Sequence, residues 1–265
     1  MAVDLTALLA DLAAESAELD AVLGALDDAA WARPTPAAGW TIADQVSHLA
    51  YFDETATLAV TDPERFRADA AALVAGGTDF PDRIAAQHHD DPPARLLAWS
   101  RRARRDLLRT FATVDPAARL PWYGPDMGPA SSLTARLMET WAHGQDVVDA
   151  LDIDRPATAR LRHVADLGVR TRAFAYRLRG MPVPSTPVRV ELTGPDGERW
   201  TWGPEHAADR VTGTALDFCL VVAQRRHVTD TALHVEGADA TAWIGIAQVF
   251  AGAPSNGPAP RGVPR

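Results

Sequence analysis

Lysine is absent from this 265-residue chain, and all 26 Lys/Arg positions are arginine. Schiff-base formation and attack by an ε-amine are thereby excluded. Cys219 is the single cysteine, so no intrachain disulfide forms and a four-cysteine zinc site is impossible. It sits in the apolar run Ala215-Leu216-Asp217-Phe218-Cys219-Leu220-Val221-Val222, where a small buried hydrophobe is expected rather than a nucleophile. No apolar run reaches the length of a membrane span. The N-terminal segment carries Asp4 and Asp11 and lacks the basic start of a secretory signal. A cytoplasmic protein with no membrane partner is the expectation. The formal net charge of −9 sets the surface as a whole against nucleic acid and anionic lipid. One run, Arg101-Arg102-Ala103-Arg104-Arg105, opposes that sign and reads as a solvated helix face.

What is present suits a soluble globular protein with a substantial core, because 47% of residues are hydrophobic and 23% charged. Leu5, Leu8, Leu9, Leu12, Leu19, Val22, Leu23 and Leu26 recur at helical spacing and predict a first helix from about Asp4 to Ala30. Arg33-Pro34-Thr35-Pro36 ends it. Thr41, with Asp44 three residues on, caps a second helix that runs to Thr61-Asp62-Pro63. Residues 62–92 are less regular, with a short helix around Glu64–Val74. A third long helix follows Pro92-Pro93 and runs to about Thr113. A fourth spans about Ser132 to Leu151, after the stiff aromatic loop from Pro121 to Pro129. Four long amphipathic helices in this stretch predict a four-helix bundle.

Beyond Arg155-Pro156 the pattern changes. One helix is expected over about Ala157–Arg179. Val188–Leu192 and Glu198–Trp202 alternate around the turn residues Thr193–Gly197, a β-hairpin signature. A helix over about Thr214–Arg226, a strand over about Ala232–Glu236 and a helix over about Asp239–Phe250 complete a small α+β domain. The expected organisation is thus α+β overall: a bundle over 1–156, an α+β domain over 157–252 and a Pro/Gly-rich disordered tail over 253–265.

The fourth helix contains Glu139-Thr140-Trp141-Ala142-His143, whose spacing stacks the carboxylate and the imidazole on one face, one turn apart. A metal uses such a pair, and so does an ordinary surface ion pair. The second helix carries His48 among Val46, Leu49 and Phe52, where a hydrogen-bonded core histidine is the bland reading. Bundles build metal sites from facing helices. His48, Glu139 and His143 together would supply three ligands and leave a fourth position open, as catalytic sites do. Asp44, one turn before His48, and Asp146, three residues after His143, are candidates to accept a spare imidazole N–H, or else serve as a cap and a surface acid. His88-His89-Asp90-Asp91 reads as solvated loop, and Trp122 and Tyr123 either wall the mouth of the bundle site or pack.

Gly39-Trp40-Thr41-Ile42-Ala43-Asp44-Gln45-Val46-Ser47-His48-Leu49 resembles the second-helix motif of the DinB-like metal-binding superfamily. Met138-Glu139-Thr140-Trp141-Ala142-His143-Gly144-Gln145-Asp146 is similar to the fourth-helix motif of its mycothiol-dependent maleylpyruvate isomerase branch. The resemblance implies a DinB-like bundle, zinc on His48, Glu139 and His143, and a second domain similar to sterol carrier proteins. It further implies that the sulfur of mycothiol, a thiol of GC-rich actinobacteria, takes the fourth position and attacks a small electrophile. A lysine-free chain rich in Ala, Arg, Gly and Pro fits such a host. For a substrate carboxylate the resemblance offers Arg225 and Arg226; the competing reading is a helix C-terminus stabilised by positive charge.

Three functional readings follow. The first is a zinc-dependent, mycothiol-linked isomerase or S-transferase. The second is a non-enzymatic protein that holds a structural metal or an apolar ligand. The third is an enzyme that uses another thiol or water. A His/His/Glu set also suits nickel, iron or manganese.

Overall fold

Asp4 starts the first helix by accepting the backbone N–H of Thr6 at 2.9 Å. This is a computed structural model, and it describes residues 4–262. Helix α1 (Leu5–Gly24) buries Leu8, Leu12, Leu19 and Leu23. It stops short of Ala30, because Asp27 accepts from Ala30 N at 2.9 Å and opens a separate turn, α2 (Asp28–Trp31). The predicted capping box is present: Thr41 and Asp44 exchange side-chain and backbone bonds at the head of α3 (Ile42–Thr61). Helix α4 (Pro63–Ala75) lies where a short helix was expected, and α5 (Phe80–Gln87) adds one in the stretch that sequence left irregular. Helix α6 (Pro93–Phe111) and α7 (Pro129–Leu151) both begin with proline in the first turn, the position where its missing N–H costs nothing.

Helices α1, α3, α6 and α7 form the bundle. Leu19, Leu23, Trp31, Ile42, Val46, Leu49, Leu96 and Val147 make one continuous core cluster. Losing a leucine of this kind to alanine costs about 2–5 kcal/mol. Beside the apolar layers runs a charged one. Asp53 of α3 accepts from Arg104 of α6 at 2.6 Å and 3.1 Å and from Arg136 of α7 at 2.9 Å. Arg104 also donates to Thr140 at 2.9 Å, and Arg136 to Leu49 O at 3.3 Å. Glu15 of α1 is buried as well and contributes negative charge in the field of Arg104. Arg104 therefore departs from the solvated face expected of its run, while Arg101, Arg102 and Arg105 are exposed. Helical periodicity turns that single position inward, where Asp53 compensates its charge.

The chain divides between Asp154 and Arg155 into two compact units. In the second, α8 (Leu161–Arg170) and α9 (Arg172–Leu178) replace the single helix expected. Thr171 separates them, its hydroxyl bonding back to Leu167 O at 2.8 Å. Strand β1 (Val188–Thr193) pairs antiparallel with β2 (Arg199–Trp202), which is the predicted hairpin. Strand β3 (Asp209–Thr214) lies parallel to β1, helix α10 (Ala215–Val222) follows it, and β4 (His234–Glu236) pairs antiparallel with β3. The sheet order is β2-β1-β3-β4. Val188, Val190, Leu192, Trp200 and Val211 bury one side of it. Gly168 lets α8 approach α10, since a Cβ there would stand 2.9 Å from Val222. Helix α11 (Ala238–Ile244) ends at Gly245, short of the expected Phe250.

Residues 253–262 carry no helix or strand, and they hydrogen-bond back onto the unit. Ser255 O accepts from Gln224 at 2.6 Å, and Arg261 N donates to Asp230 at 2.9 Å. The last part of the expected tail, 263–265, lies outside the described residues, as do residues 1–3. Among the described residues no helix is long and apolar enough to cross a membrane.

Candidate metal centre

His48 projects from the middle of α3, and Glu139 and His143 from one face of α7. Glu139 Oε2 stands 3.4 Å from His48 Nε2 and 3.0 Å from His143 Nε2. One ligand atom from each residue lies within 4.8 Å of the other two. The two imidazole rings are 4.4 Å apart, centroid to centroid. Among the described residues this is the group of His, Cys, Asp and Glu side chains able to share one cation.

A hydrogen-bond relay fixes the tautomer of His143. The Trp40 carbonyl only accepts, so Thr35 Oγ1, at 2.9 Å, donates to it. The same oxygen then accepts from Gln45 Nε2 at 2.8 Å. This leaves Gln45 Oε1 to accept from His143 Nδ1. The proton of His143 therefore sits on Nδ1, and the lone pair on Nε2 faces Glu139. Burial works to raise the Glu139 pKa. When the imidazoles of His143 and His48 are protonated, their hydrogen bonds and charge outweigh it and hold the carboxyl well below its usual range. A lone pair on Nε2 beside a carboxylate oxygen at 3.0 Å gives two donor atoms that one cation can share.

The spacing fits a metal. Zinc–ligand bonds of about 2.0–2.2 Å put neighbouring ligand atoms of a tetrahedron about 3.3 Å apart. Two of the three separations lie close to that value, at 3.4 Å and 3.0 Å, and the third is within 4.8 Å. Two imidazoles and one carboxylate are also a donor set that zinc uses.

Aromatic rings enclose the pair of histidines. Trp40 stacks on His143 at 5.9 Å and touches His48 at 5.2 Å, while Phe52 meets His48 from its own helix at 4.6 Å. Trp40 is held by its indole N–H, which donates to Asp82 of α5 at 2.8 Å. Trp122 and Tyr123 stand one ring further out, against Phe52 at 6.3 Å and 5.7 Å, and pack with Phe66, Ala59 and Ala70. Burial pushes the Tyr123 phenol up, and its hydrogen bond with Tyr51 adds to the shift.

Asp44 and Asp146 each stood open to two readings, imidazole support or else a cap and a surface acid. Asp44 is consumed by its cap, accepting from Thr41 N at 2.8 Å and Thr41 Oγ1 at 2.7 Å. Asp146 Oδ2 stands 3.9 Å from His143 Nδ1, beyond hydrogen-bond reach. Gln45 does the work instead. It is a fully buried amide one turn before His48, and such a group requires partners. Arg225 and Arg226 belong to the second unit, just past α10. Arg225 Nη1 donates to Ala223 O and Arg226 Nη1 to Arg225 O, each at 2.8 Å, so both bond carbonyls at that helix end. His88 of the polar loop bonds Asp91 at 2.8 Å.

Comparison with known proteins places the chain in a family. The family model described as mycothiol maleylpyruvate isomerase N-terminal domain matches residues 12–148, and one described as wyosine base formation matches residues 184–235. Uncharacterised proteins from two strains of Mycobacterium tuberculosis are each 48% identical over 249 residues, covering 94% of this chain and 97% of theirs. Among solved structures, the mycothiol-dependent maleylpyruvate isomerase superposes with a TM-score of 0.59 at 16% identity over 84% of this chain and 90% of that one. A mutant of it gives 0.60 at 16% over 88% and 93%. At that identity the likeness speaks for the fold. With its N-terminal family model matched over more than half its length, the chain belongs to the mycothiol maleylpyruvate isomerase family, a branch of the DinB-like metal-binding bundles.

Proposed function

We propose that this protein is a zinc-dependent, mycothiol-linked isomerase or S-transferase acting on a small electrophile, with His48, Glu139 and His143 as the metal ligands. The observation that carries the reading is the convergence of two imidazole nitrogens and one carboxylate oxygen, all within 4.8 Å. Family membership supports the choice of thiol. Zinc in this position would supply a Lewis acid that keeps a thiol sulfur ionised near neutral pH.

The chain's own residues have separate tasks. Glu139 brings negative charge to balance a cation. Gln45 holds His143 in the tautomer that turns Nε2 inward. Trp40 and Phe52 keep water from the imidazoles and lower the local dielectric, which strengthens every charge interaction there. The thiolate would add to an alkene conjugated with a carbonyl, its electron pair forming a C–S bond and the alkene pair moving into an enolate. Rotation about the resulting single bond and collapse of the enolate would break the C–S bond and return the thiolate, so no atom is gained or lost. With a leaving group in place of the alkene, the same thiolate would give S-transfer. Arg225 and Arg226 are the proposed contacts for a substrate carboxylate, whose two oxygens suit a guanidinium fork.

The test is metal analysis of the purified protein beside His48→Ala, with turnover measured using mycothiol and, separately, glutathione on maleylpyruvate and other activated electrophiles. About one zinc per chain, lost in His48→Ala, together with turnover that needs mycothiol, is expected. Equal metal content in the two proteins removes His48 from the site. Turnover indifferent to any thiol removes the thiol chemistry.

A further inference from the structure

Asparagine occurs once in the 265-residue chain, at position 256, and the residue after it is glycine. The pair lies beyond α11, in a stretch without helix or strand, and Asn256 is exposed. The proposed zinc and thiol chemistry does not use it. The side-chain amide of an asparagine is open to attack by the backbone nitrogen of the next residue, which closes a succinimide ring. A side chain on that next residue crowds the attack, and glycine has none.

The fold itself demands glycine at 257. Its φ is +75°, in the left-handed region, and a Cβ there would stand 3.2 Å from Gln224 Cβ. The residue that makes the pair reactive is thus the one that lets the C-terminal segment lie on Gln224. That segment is held at Ser255, whose carbonyl accepts from Gln224 Nε2 at 2.6 Å and also from Arg179 Nη2. Ser255 N donates to Gln248 Oε1 at 3.1 Å.

The neighbours also address both reacting groups. Arg179, just past α9, donates from Nη2 to Asn256 Oδ1 at 3.4 Å. A guanidinium on the amide oxygen polarises the Cγ carbonyl and favours the oxyanion that forms on attack. The Gly257 N–H donates to Ser255 Oγ at 3.1 Å. The proton that the nucleophile must lose therefore rests on a hydroxyl at the exposed surface, on its way to solvent.

We propose that Asn256-Gly257 is a self-modifying site, at which the folded chain converts asparagine to aspartate and isoaspartate with Arg179 assisting. The Gly257 nitrogen bonds to Asn256 Cγ and gives up its proton. The amide C–N bond of the side chain breaks, and ammonia leaves with that proton. Water then opens the succinimide. Opening at Cγ gives aspartate, and opening at the main-chain carbonyl leaves the chain running through Cγ as isoaspartate. Either product adds a negative charge to a segment whose residues 256 and 257 line a small cavity with Arg226 and His227.

The experiment incubates the full-length protein beside a synthetic peptide of residues 250–260 and follows the exchange of NH2 for OH by intact mass. With a single asparagine in the chain the exchange reports one site, and tandem mass spectrometry of the C-terminal peptide locates it and resolves isoaspartate. The folded protein is expected to convert at least as fast as the peptide. Its rate should rise about three- to tenfold from about pH 7.5 to about pH 8.5, because the nitrogen attacks only without its proton. Arg179→Gln, at a partly exposed position, should slow conversion about two- to fivefold, the rate equivalent of one exposed charged contact. Asn256→Gln should stay unconverted over the same period. A folded protein that stays unconverted while the peptide converts, an Arg179→Gln rate equal to or above the wild type, or equal conversion of Asn256→Gln each overturns the proposal.

Discussion

Gln45 and His143 are joined across the bundle by a hydrogen bond from Nδ1 to Oε1, and that bond decides which imidazole nitrogen faces Glu139. Its polarity is set two steps away by the Trp40 carbonyl, which orders the Thr35 hydroxyl and through it the Gln45 amide. Supports of this kind are typically worth 10–100-fold in metal affinity. Gln45→Leu is close in volume and keeps the helix, yet leaves Nδ1 without its acceptor and the Thr35 hydroxyl with only its bond to the Trp40 carbonyl. Zinc affinity, measured by competition with a chromophoric chelator, should fall by about 10–100-fold while helix content holds. Wild-type affinity in Gln45→Leu would show that the relay is ornamental.

Zinc should stabilise the protein, and the effect should fade in acid. Binding to the folded state alone adds about 2.7 kcal/mol at a concentration a hundred times the dissociation constant. Both imidazoles must be unprotonated to bind, so protons compete with zinc for each of them. Once both are protonated, each further pH unit of acid lowers affinity by about a hundredfold. The Glu139 carboxyl is held well below its ordinary range and stays ionised through this window, so it adds nothing to the slope. Unfolding midpoints with and without zinc, at about pH 7.5 and pH 5.5, check this. An equal zinc-induced shift at both would count against histidine ligation.

Asp53 is the common acceptor for two buried guanidinium groups. Removing it strands both charges, and breaking a buried pair in this way costs about 3–5 kcal/mol. Asp53→Ala should therefore lower stability by about that amount in urea unfolding. Arg102 makes a contrasting control: its partner Glu54 is 3.6 Å away and both side chains are about half exposed. Arg102→Ala should change stability by less than about 1 kcal/mol. Comparable losses in the two variants would mean that burial of the Asp53 layer is not what matters.

These residues also mark where sequence was legible. The Thr41/Asp44 capping box and the β1–β2 hairpin are local patterns, each complete within a few residues, and both occur as read. The convergence of His48, Glu139 and His143 was reachable because helical spacing places Glu139 and His143 together, and because His48 needed a reason to sit on an apolar stripe. Strand β3 was missed because Asp209-Arg210-Val211-Thr212-Gly213-Thr214 presents little apolar alternation, with Val211 buried in the core; it becomes a strand by pairing with β1 some twenty residues earlier. Arg104 and Gln45 were missed for a related reason. Each is polar, each is buried, and each is satisfied by a side chain from a distant helix, which no local window contains.

Cys219 offers a last check, on the second unit alone. Its thiol is fully buried, donates weakly to Leu161 O at 3.5 Å, and is pushed well above its ordinary pKa by burial. The folded state thus keeps a proton that the unfolded chain releases above about pH 8.5. Because the folded value is raised, stability is intact below that pH and falls as pH rises beyond it. Iodoacetamide at pH 8 should leave the folded protein unlabelled and react once urea opens it, since the thiolate is the nucleophile. Cys219→Ala should cost about 1 kcal/mol at neutral pH through the small cavity it leaves, and that deficit should shrink by about pH 9.5 as the wild type begins to pay for its buried thiol. Labelling of the native protein at the rate of a free thiol, or a deficit that stays constant with pH, would contradict the burial of Cys219 between α8 and α10.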